Sequence, residues 1–374
     1  MRLLSIIAVL TIAFALAPHA AARGAAGRGS QAEEKQAGGQ QEAQGADSAV
    51  ERSTAAEKSV VVSLCVSTGD VVVRGWDRAE VRARASDASS LRLLTPNVQP
   101  ASSVEVLVSQ RSDAGLPPGD CGTAGTLELS VPRGATVNVE TRDGHVEVSD
   151  VAGARVHALS GDVDVRRVSR SVEVSCLSGD IMLADSSGSA EISTVSGDVE
   201  ARNIRAASAS DGFEAKSTSG DVALEGVTHA QVRGATVSGS ISYTGALARG
   251  GDYDFKTISG DVTLELPADS SFRLHAKVVM SGDILTDFPV RTSAGSSSSS
   301  SSSASASASR TPGAPPAPPP GAGETPPPPP DWQKPGKNKP PKEPPGTRLD
   351  GTVGTGDAVV NLSSFSGSVY LRKR

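Results

Sequence analysis

Through the middle of the chain, apolar and polar positions alternate in short, interrupted runs. Val172, Val174 and Cys176 alternate with Glu173 and Ser175, a Ser178-Gly179-Asp180 turn follows, and Ile181 and Leu183 then flank Met182. Neighbouring units repeat the scheme with Ala190, Ile192 and Thr194 before Val199 and Ala201, and with Tyr253 and Phe255 before Val262 and Leu264. A period of two sends successive side chains to opposite sides, so each run predicts a strand with one buried face. No stretch of useful length has helical spacing. The class is therefore all-β, with two strands and one tight turn per unit.

The turn phrase recurs at Ser160-Gly161-Asp162, Ser178-Gly179-Asp180, Ser196-Gly197-Asp198, Ser219-Gly220-Asp221, Ser259-Gly260-Asp261 and Ser281-Gly282-Asp283. Variants centre on Gly69, Gly144, Gly239, Gly356 and Gly367. From Gly144 to Gly282 the steps are 17, 18, 18, 23, 19, 21 and 22 residues, the length of one supersecondary unit. Glycine suits a corner that needs positive φ, and Asp or Ser beside it can hydrogen-bond the turn's own backbone. Two geometries fit. Each unit is one rung of a β-solenoid, stacked ~4.8 Å from the next, or Gly-Asp is a hairpin loop and the units form antiparallel ribbons. Near-constant spacing with the same residue at each rung position favours the solenoid.

The chain's flanks read differently. Arg2, the apolar run Leu3 to Leu16 and Ala20-Ala21-Ala22 read as an export signal over residues 1–22. Residues 23–57 hold almost no large apolar side chain and read as a disordered leader. The repeat domain is expected over 58–291, with further strands near Val60 to Val73, Val81, Leu91 to Leu94, Val104 to Val108 and Leu127 to Val131. Residues 292–347 form a Ser/Ala and Pro-rich insertion, expected to be disordered to polyproline-like, in which 16 of the chain's 24 prolines lie between Pro312 and Pro345. Four lysines, Lys334, Lys337, Lys339 and Lys342, share it, so it reads as a solvated linker or as a basic attachment arm. The pattern returns in 348–374, which are expected to close the same domain.

Composition narrows the function. The net charge of −6 argues against nucleic-acid binding, and 3% aromatic content leaves few stacking platforms and a core expected to rest on Val, Ile, Leu and Ala. After signal cleavage no segment is apolar enough to span a membrane as a helix. Of three cysteines, Cys176 occupies a repeat position filled elsewhere by Ala158, Thr194, Ser217, Thr236 and Thr257. Cys65 and Cys121 lie outside the regular array and are the candidate disulfide in an oxidising compartment.

Candidate chemistry is sparse. A column of Asp162, Asp180 and Asp198 would welcome a divalent cation, but the dense Gly-Gly-x-Gly-x-Asp pattern of calcium-binding solenoids is absent, so the Asp reads as a turn former and no metal or cofactor is expected. His145, His157, His229 and His275 share no zinc spacing. The chain has neither a Gly-x-Ser-x-Gly elbow nor a phosphate loop. Asp150, Asp164 and Glu173 read as solvated faces of alternating strands, and no catalytic residue is assigned.

The run Tyr253-Asp254-Phe255-Lys256-Thr257-Ile258-Ser259-Gly260-Asp261-Val262-Thr263-Leu264, then Leu266-Pro267 and Ser281-Gly282-Asp283-Ile284, resembles a bacterial family of exported β-strand-repeat proteins. So does Gly69-Asp70-Val71-Val72-Val73-Arg74-Gly75-Trp76-Asp77. Its members are known as putative adhesins, a domain of unknown function, and the resemblance implies an exported repetitive β-fold. The expected role is a non-enzymatic periplasmic, cell-surface or secreted protein for adhesion or scaffolding, its partner an envelope component, glycan or protein. The alternative is a carbohydrate-active lyase or glycosidase on a β-helix. Three or more charged side chains converging in one groove would favour that alternative, and featureless faces the first reading.

Overall fold

The computed structural model describes residues 49–88, 90–97, 99–109, 121–292 and 346–374. The expected export signal, the leader up to residue 48 and the insertion from 293 to 345 lie outside them.

Strand pairing decides between the two geometries. Ser171–Ser178 lies parallel and in register with Gly153–Ser160 on one side and Ser189–Ser196 on the other, so that Val174 faces Val156 and Ile192. After the corner, Ile181–Ala184 lies in the same way between Val163–Arg166 and Val199–Arg202. The two strands of a unit are not paired with each other, as a hairpin would require. Each unit is one rung of a β-solenoid, with one ladder of long strands and one of short strands meeting at the Ser-Gly-Asp corner. Rungs are named below by their corner glycine.

The alternation explains the interior. Val172, Val174, Ile181 and Leu183 are 4%, 1%, 1% and 0% exposed, and each such side chain contributes about 1.5–3 kcal/mol by leaving water. Like stacks on like, with local exchanges of volume: Gly234 lies directly under Phe255, whose ring fills the space a side chain at 234 would need. The core does not rest on Val, Ile, Leu and Ala alone, as composition suggests. The few aromatics are not spared from the core, because Phe213, Tyr243, Tyr253, Phe255 and Phe272 are among its largest fully buried side chains. They gather where the spacing between corners exceeds 18 residues. Their polar ends stay paired: the Tyr243 hydroxyl has the carbonyls of Val227 (3.0 Å) and Ala246 (3.1 Å) within reach of its one proton, and the Tyr253 hydroxyl donates to that of His229 (3.0 Å).

Both ends of the stack carry antiparallel strands. The last rung in sequence, Ala358–Ser366 with Val369–Lys373, is not last in space, since it lies between the Gly260 rung and the Gly282 rung. Thr347–Val353 then runs antiparallel along Phe272–Ser281 and covers the exposed ladder. At the other end the first rung, in the long strand Val50–Trp76, lies between the Gly144 rung and a rung made of Ala101–Ser109 and Gly122–Pro132. Antiparallel strands Glu80–Ala85 and Ser90–Leu94 close that side. An open parallel edge is a template for aggregation; both ladders are covered at the first end, and the long-strand ladder at the other.

The first strand begins at Val50, ahead of the expected boundary at 58. Residues 50–55 pair antiparallel with 80–85, an edge pairing whose mostly polar, exposed side chains leave no apolar alternation in the sequence.

Candidate interaction surface

The corner is built by contacts between rungs. Gly179 has φ of 145° and Gly197 of 149°, and a Cβ at either would overlap the carbonyl oxygen of the corner glycine one rung below. The same stacking joins Gly69, Gly144, Gly161, Gly220, Gly239, Gly260, Gly367 and Gly282 in one column. Gly356 also has positive φ, 77°, but it belongs to the reversal after Thr347–Val353 and packs against Thr352 and Arg273, outside that column. The corner N–H groups are satisfied from above, Gly179 donating to Ser196 O (2.9 Å) and Gly197 to Ser219 O (3.0 Å).

Two side-chain ladders flank the glycines. On the buried side Thr194, Thr236 and Thr257 donate hydroxyls to the carbonyls of Gly179 (3.3 Å), Gly220 (3.0 Å) and Gly239 (2.9 Å) on the rung below. Cys176 stands in this column as a free, buried thiol, and burial pushes its pKa up. On the outer side the Asp carboxylates do not fold back onto their own turn, as the sequence reading allowed. Asp162 Oδ1 accepts the backbone N–H of Asp180 (3.0 Å), Asp180 Oδ1 that of Asp198 (2.8 Å), and Asp198 Oδ1 that of Asp221 (2.8 Å). One oxygen of each is thus committed to the next rung. Among the described residues no group of three His, Cys, Asp or Glu side chains is arranged to hold a metal ion.

Just before most of the corner serines stands an exposed apolar side chain. Leu159, Leu177, Val195, Val237, Ile258 and Phe365 are 41–50% exposed and stack through the registers of their neighbours, with Thr218 between Val195 and Val237. The outer edge of the solenoid is therefore a ridge, apolar on one flank of the glycine column and acidic on the other. The sequence carried this signal in the residue preceding each Ser-Gly-Asp, which alternation alone assigns to an outward face and so discounts.

A second charged surface lies on the long strands. Glu173, Glu191 and Glu214 stack in register between Arg155 and Arg233 along one shallow groove of about 320 Å³. The charge count that would favour a carbohydrate-active site is met there. Its geometry is that of a ladder: the carboxylates stand side by side on one face, Glu173 bound to Arg155 (2.7 Å) and Glu214 to Lys216 (2.7 Å). Asp164 contacts His145 (3.6 Å) and Arg166 (3.5 Å).

Four rungs turn at a second corner that has no common residue type. Asp150, Arg167, Asp185 and Asn203 adopt left-handed φ of 60°, 53°, 51° and 56°, a region that Asp and Asn tolerate best among non-glycine residues. Asp150 and Arg167 form a two-armed pair (2.9 and 2.8 Å), and hydrogen bonding to that guanidinium, more than its charge, holds the Asp150 carboxyl below the ordinary carboxylate range. The remaining histidines are dispersed, with His157 on Ser175 (2.6 Å), His275 on Asp350 (2.9 Å) and His229 buried against Gly188 O (2.7 Å).

Cys65 and Cys121 have Cα atoms 4.9 Å apart and are joined as a disulfide that ties the first strand to the outermost rung. No helix among the described residues is long and apolar enough to cross a membrane.

An in-register parallel β-solenoid with a repeated corner defines an all-β repeat protein. Residues 61–312 match the Toastrack DUF4097 family, and the chain belongs to it. Similar solved structures include a putative adhesin from Parabacteroides distasonis ATCC 8503, at 8% identity and TM-score 0.38 over 60% of this chain and 92% of that one. Others are a putative cell adhesion protein from Clostridium sporogenes ATCC 15579 (9%, TM-score 0.22, 87% and 100%) and a putative adhesin from Parabacteroides merdae ATCC 43184 (9%, TM-score 0.29, 59% and 89%). Likeness at this level carries no ligand or activity across. No curated protein matches the chain.

Proposed function

We propose that the protein is an exported, non-enzymatic adhesion or scaffolding protein that makes its contacts along the ridge of Ser-Gly-Asp corners. One observation carries this reading: apolar side chains stay exposed at the same corner position on six of the seven stacked rungs from Leu159 to Phe365, Thr218 standing on the seventh. Single exposed apolar residues are ordinary, but a contiguous apolar feature on a soluble surface marks a contact site. The neighbouring carboxylates keep such a ridge soluble and add selectivity for partners bearing positive charge. The partner class is an envelope component, whether glycan or protein. A screen of the purified chain against glycans and envelope components tests it, with saturable binding that is lost on replacing Leu177 and Val195 by Ser as the supporting result.

The Glu173, Glu191 and Glu214 groove favours a second reading, a carbohydrate-active enzyme. Adjacent rungs set carboxylates about 4.8 Å apart, near the ~5–5.5 Å of a retaining glycosidase. Such an enzyme places its two carboxyls on opposite sides of the scissile bond, whereas these share one flat face. Release of reducing ends from a polysaccharide, abolished by Glu191→Gln, would establish this reading in place of the first.

A further inference from the structure

The Cys65–Cys121 disulfide stands at one end of a line of outward-facing side chains. Val66 pairs with Gly122 on one side and Thr141 on the other, which sets Cys65 between Cys121 on the outermost rung and Glu140 on the Gly144 rung. The register continues from Glu140 to His157 and Ser175. Cys121, Cys65, Glu140, His157 and Ser175 thus follow one another at ~4.8 Å per rung. With the two cysteine Cα atoms 4.9 Å apart, the S–S bond lies along that line.

The bond is open to approach from the same direction. Both cysteines are half-buried, and with Glu140, His157, Leu159 and Leu177 they line a groove of about 460 Å³. Leu159 and Leu177 are exposed and give the groove an apolar wall along the ridge. Access and the charge around the sulfurs decide whether a disulfide exchanges.

Exchange proceeds by attack of a thiolate on one sulfur while the other leaves. The attacking sulfur must come in line with the bond that breaks, so a thiol reaching Cys65 arrives from the side of Glu140 and His157, where the groove runs. Charge selects the same sulfur. Glu140 Oε2 lies 3.9 Å from Cys65 Sγ, and a like charge this close makes Cys65 the poorer leaving thiolate. Cys121 therefore leaves, and Cys65 takes the incoming sulfur. His157 stands next along the path. In the tautomer that donates Nδ1–H to Ser175 Oγ, at 2.6 Å, its Nε2 accepts the proton of the arriving thiol.

We infer that this groove is a thiol-exchange site, at which a partner's cysteine carried on an extended apolar segment becomes joined to Cys65. The Cys65–Cys121 bond breaks, a bond between the partner's sulfur and Cys65 forms, and the partner's proton passes by way of His157 to the Cys121 thiolate. The partner's thiol is oxidised as Cys121 is reduced, so no further oxidant or reductant is consumed. This goes beyond the adhesion reading, because it turns a contact beside the ridge into a covalent one.

The test uses the oxidised full chain and a synthetic peptide with one central cysteine flanked by leucines, quenched with an alkylating agent and mapped by mass spectrometry. The expected products are a mixed disulfide on Cys65 and an alkylated thiol on Cys121. Cys176, which is buried, should stay unmodified and so report an intact fold. Exchange should be about tenfold faster or more than with a peptide of equal charge in which serine replaces leucine, a ratio that burial of one leucine side chain suffices to give. Leu159→Ser combined with Leu177→Ser should remove that ratio and leave the melting temperature close to the parent's. A mixed disulfide on Cys121, equal rates for the two peptides, or exchange only in denaturant or together with Cys176 would each overturn the inference. Because the probe is a defined peptide, failure here with envelope binding intact would remove this inference alone.

Discussion

The carboxylate of Asp180 accepts the backbone N–H of Asp198, one rung above, at 2.8 Å. That bond gives the repeated Asp a role that is neither catalytic nor metal-binding: it carries the corner of one rung to the next. Asp180→Asn retains an acceptor oxygen and removes a like charge from the column, so the melting temperature should hold or rise slightly. Asp180→Ala leaves the N–H of Asp198 to water alone and should cost about 0.5–1.5 kcal/mol. Equal melting temperatures for the Ala and Asn variants would show that the bond contributes nothing.

Gly197 is constrained twice, by its φ of 149° and by the Gly179 carbonyl that a Cβ would overlap. Gly197→Val should therefore destabilise the protein by at least about 3 kcal/mol, the upper end of the ~1–3 kcal/mol typical of an unfavourable backbone conformation alone, because the overlap adds to it. Chemical denaturation is the direct readout. A variant as stable as the parent would mean that the corner relaxes without cost.

Acid should weaken the second corner. Hydrogen bonding to Arg167, together with the charges of Arg167 and Arg133, lowers the Asp150 pKa in the folded protein, and His275 with Arg348 lowers that of Asp350. A depressed carboxyl contributes stability that is present above its unfolded value of about 3.9 and lost as pH falls through the folded value. Melting temperatures followed from pH 6 downwards should fall more steeply below about pH 4 for the parent than for Asp150→Asn, which keeps a residue tolerant of left-handed φ. Parallel curves would remove Asp150 from the account.

The joined Cys65 and Cys121 and the buried Cys176 set an expected thiol count. The oxidised chain should react with an alkylating agent at no cysteine when folded and at Cys176 alone when denatured. Reduction opens a sequence separation of 56 residues and should lower stability by about 2–4 kcal/mol. Three reactive thiols in denaturant without reductant would contradict the pairing.

What the sequence made legible follows from which contacts are periodic. Alternation around Val172, Val174, Ile181 and Leu183 is set by burial and so appears in every rung, as does the corner glycine, whose replacement would collide with the rung below. The insertion of the last rung beneath the Gly282 rung leaves no periodic trace, because every rung offers the same ladder of N–H and C=O groups to its neighbour. Residues 50–55 read as leader in the sequence because an edge pairing of polar residues needs no apolar pattern. The second corner was hidden for a related reason: Asp150, Arg167, Asp185 and Asn203 share a conformation but not a residue type. The ridge was visible residue by residue and became a surface only once stacking aligned Leu159, Leu177 and Val195.

The central claim, that the ridge is the contact surface, is tested most directly by equilibrium binding of the purified full chain to cell-envelope fragments. The parent should be compared with a Leu177→Ser, Val195→Ser and Ile258→Ser variant and with Glu191→Gln. Exposed substitutions of this kind leave folding stability within roughly 0.5 kcal/mol each, so melting temperatures should stay close. Saturable binding is expected, weakened about tenfold or more in the ridge variant, a loss of ~1.4 kcal/mol, and unchanged in Glu191→Gln. Binding by the ridge variant as tight as that of the parent, with loss in Glu191→Gln instead, would contradict that claim and move the functional surface to the glutamate ladder.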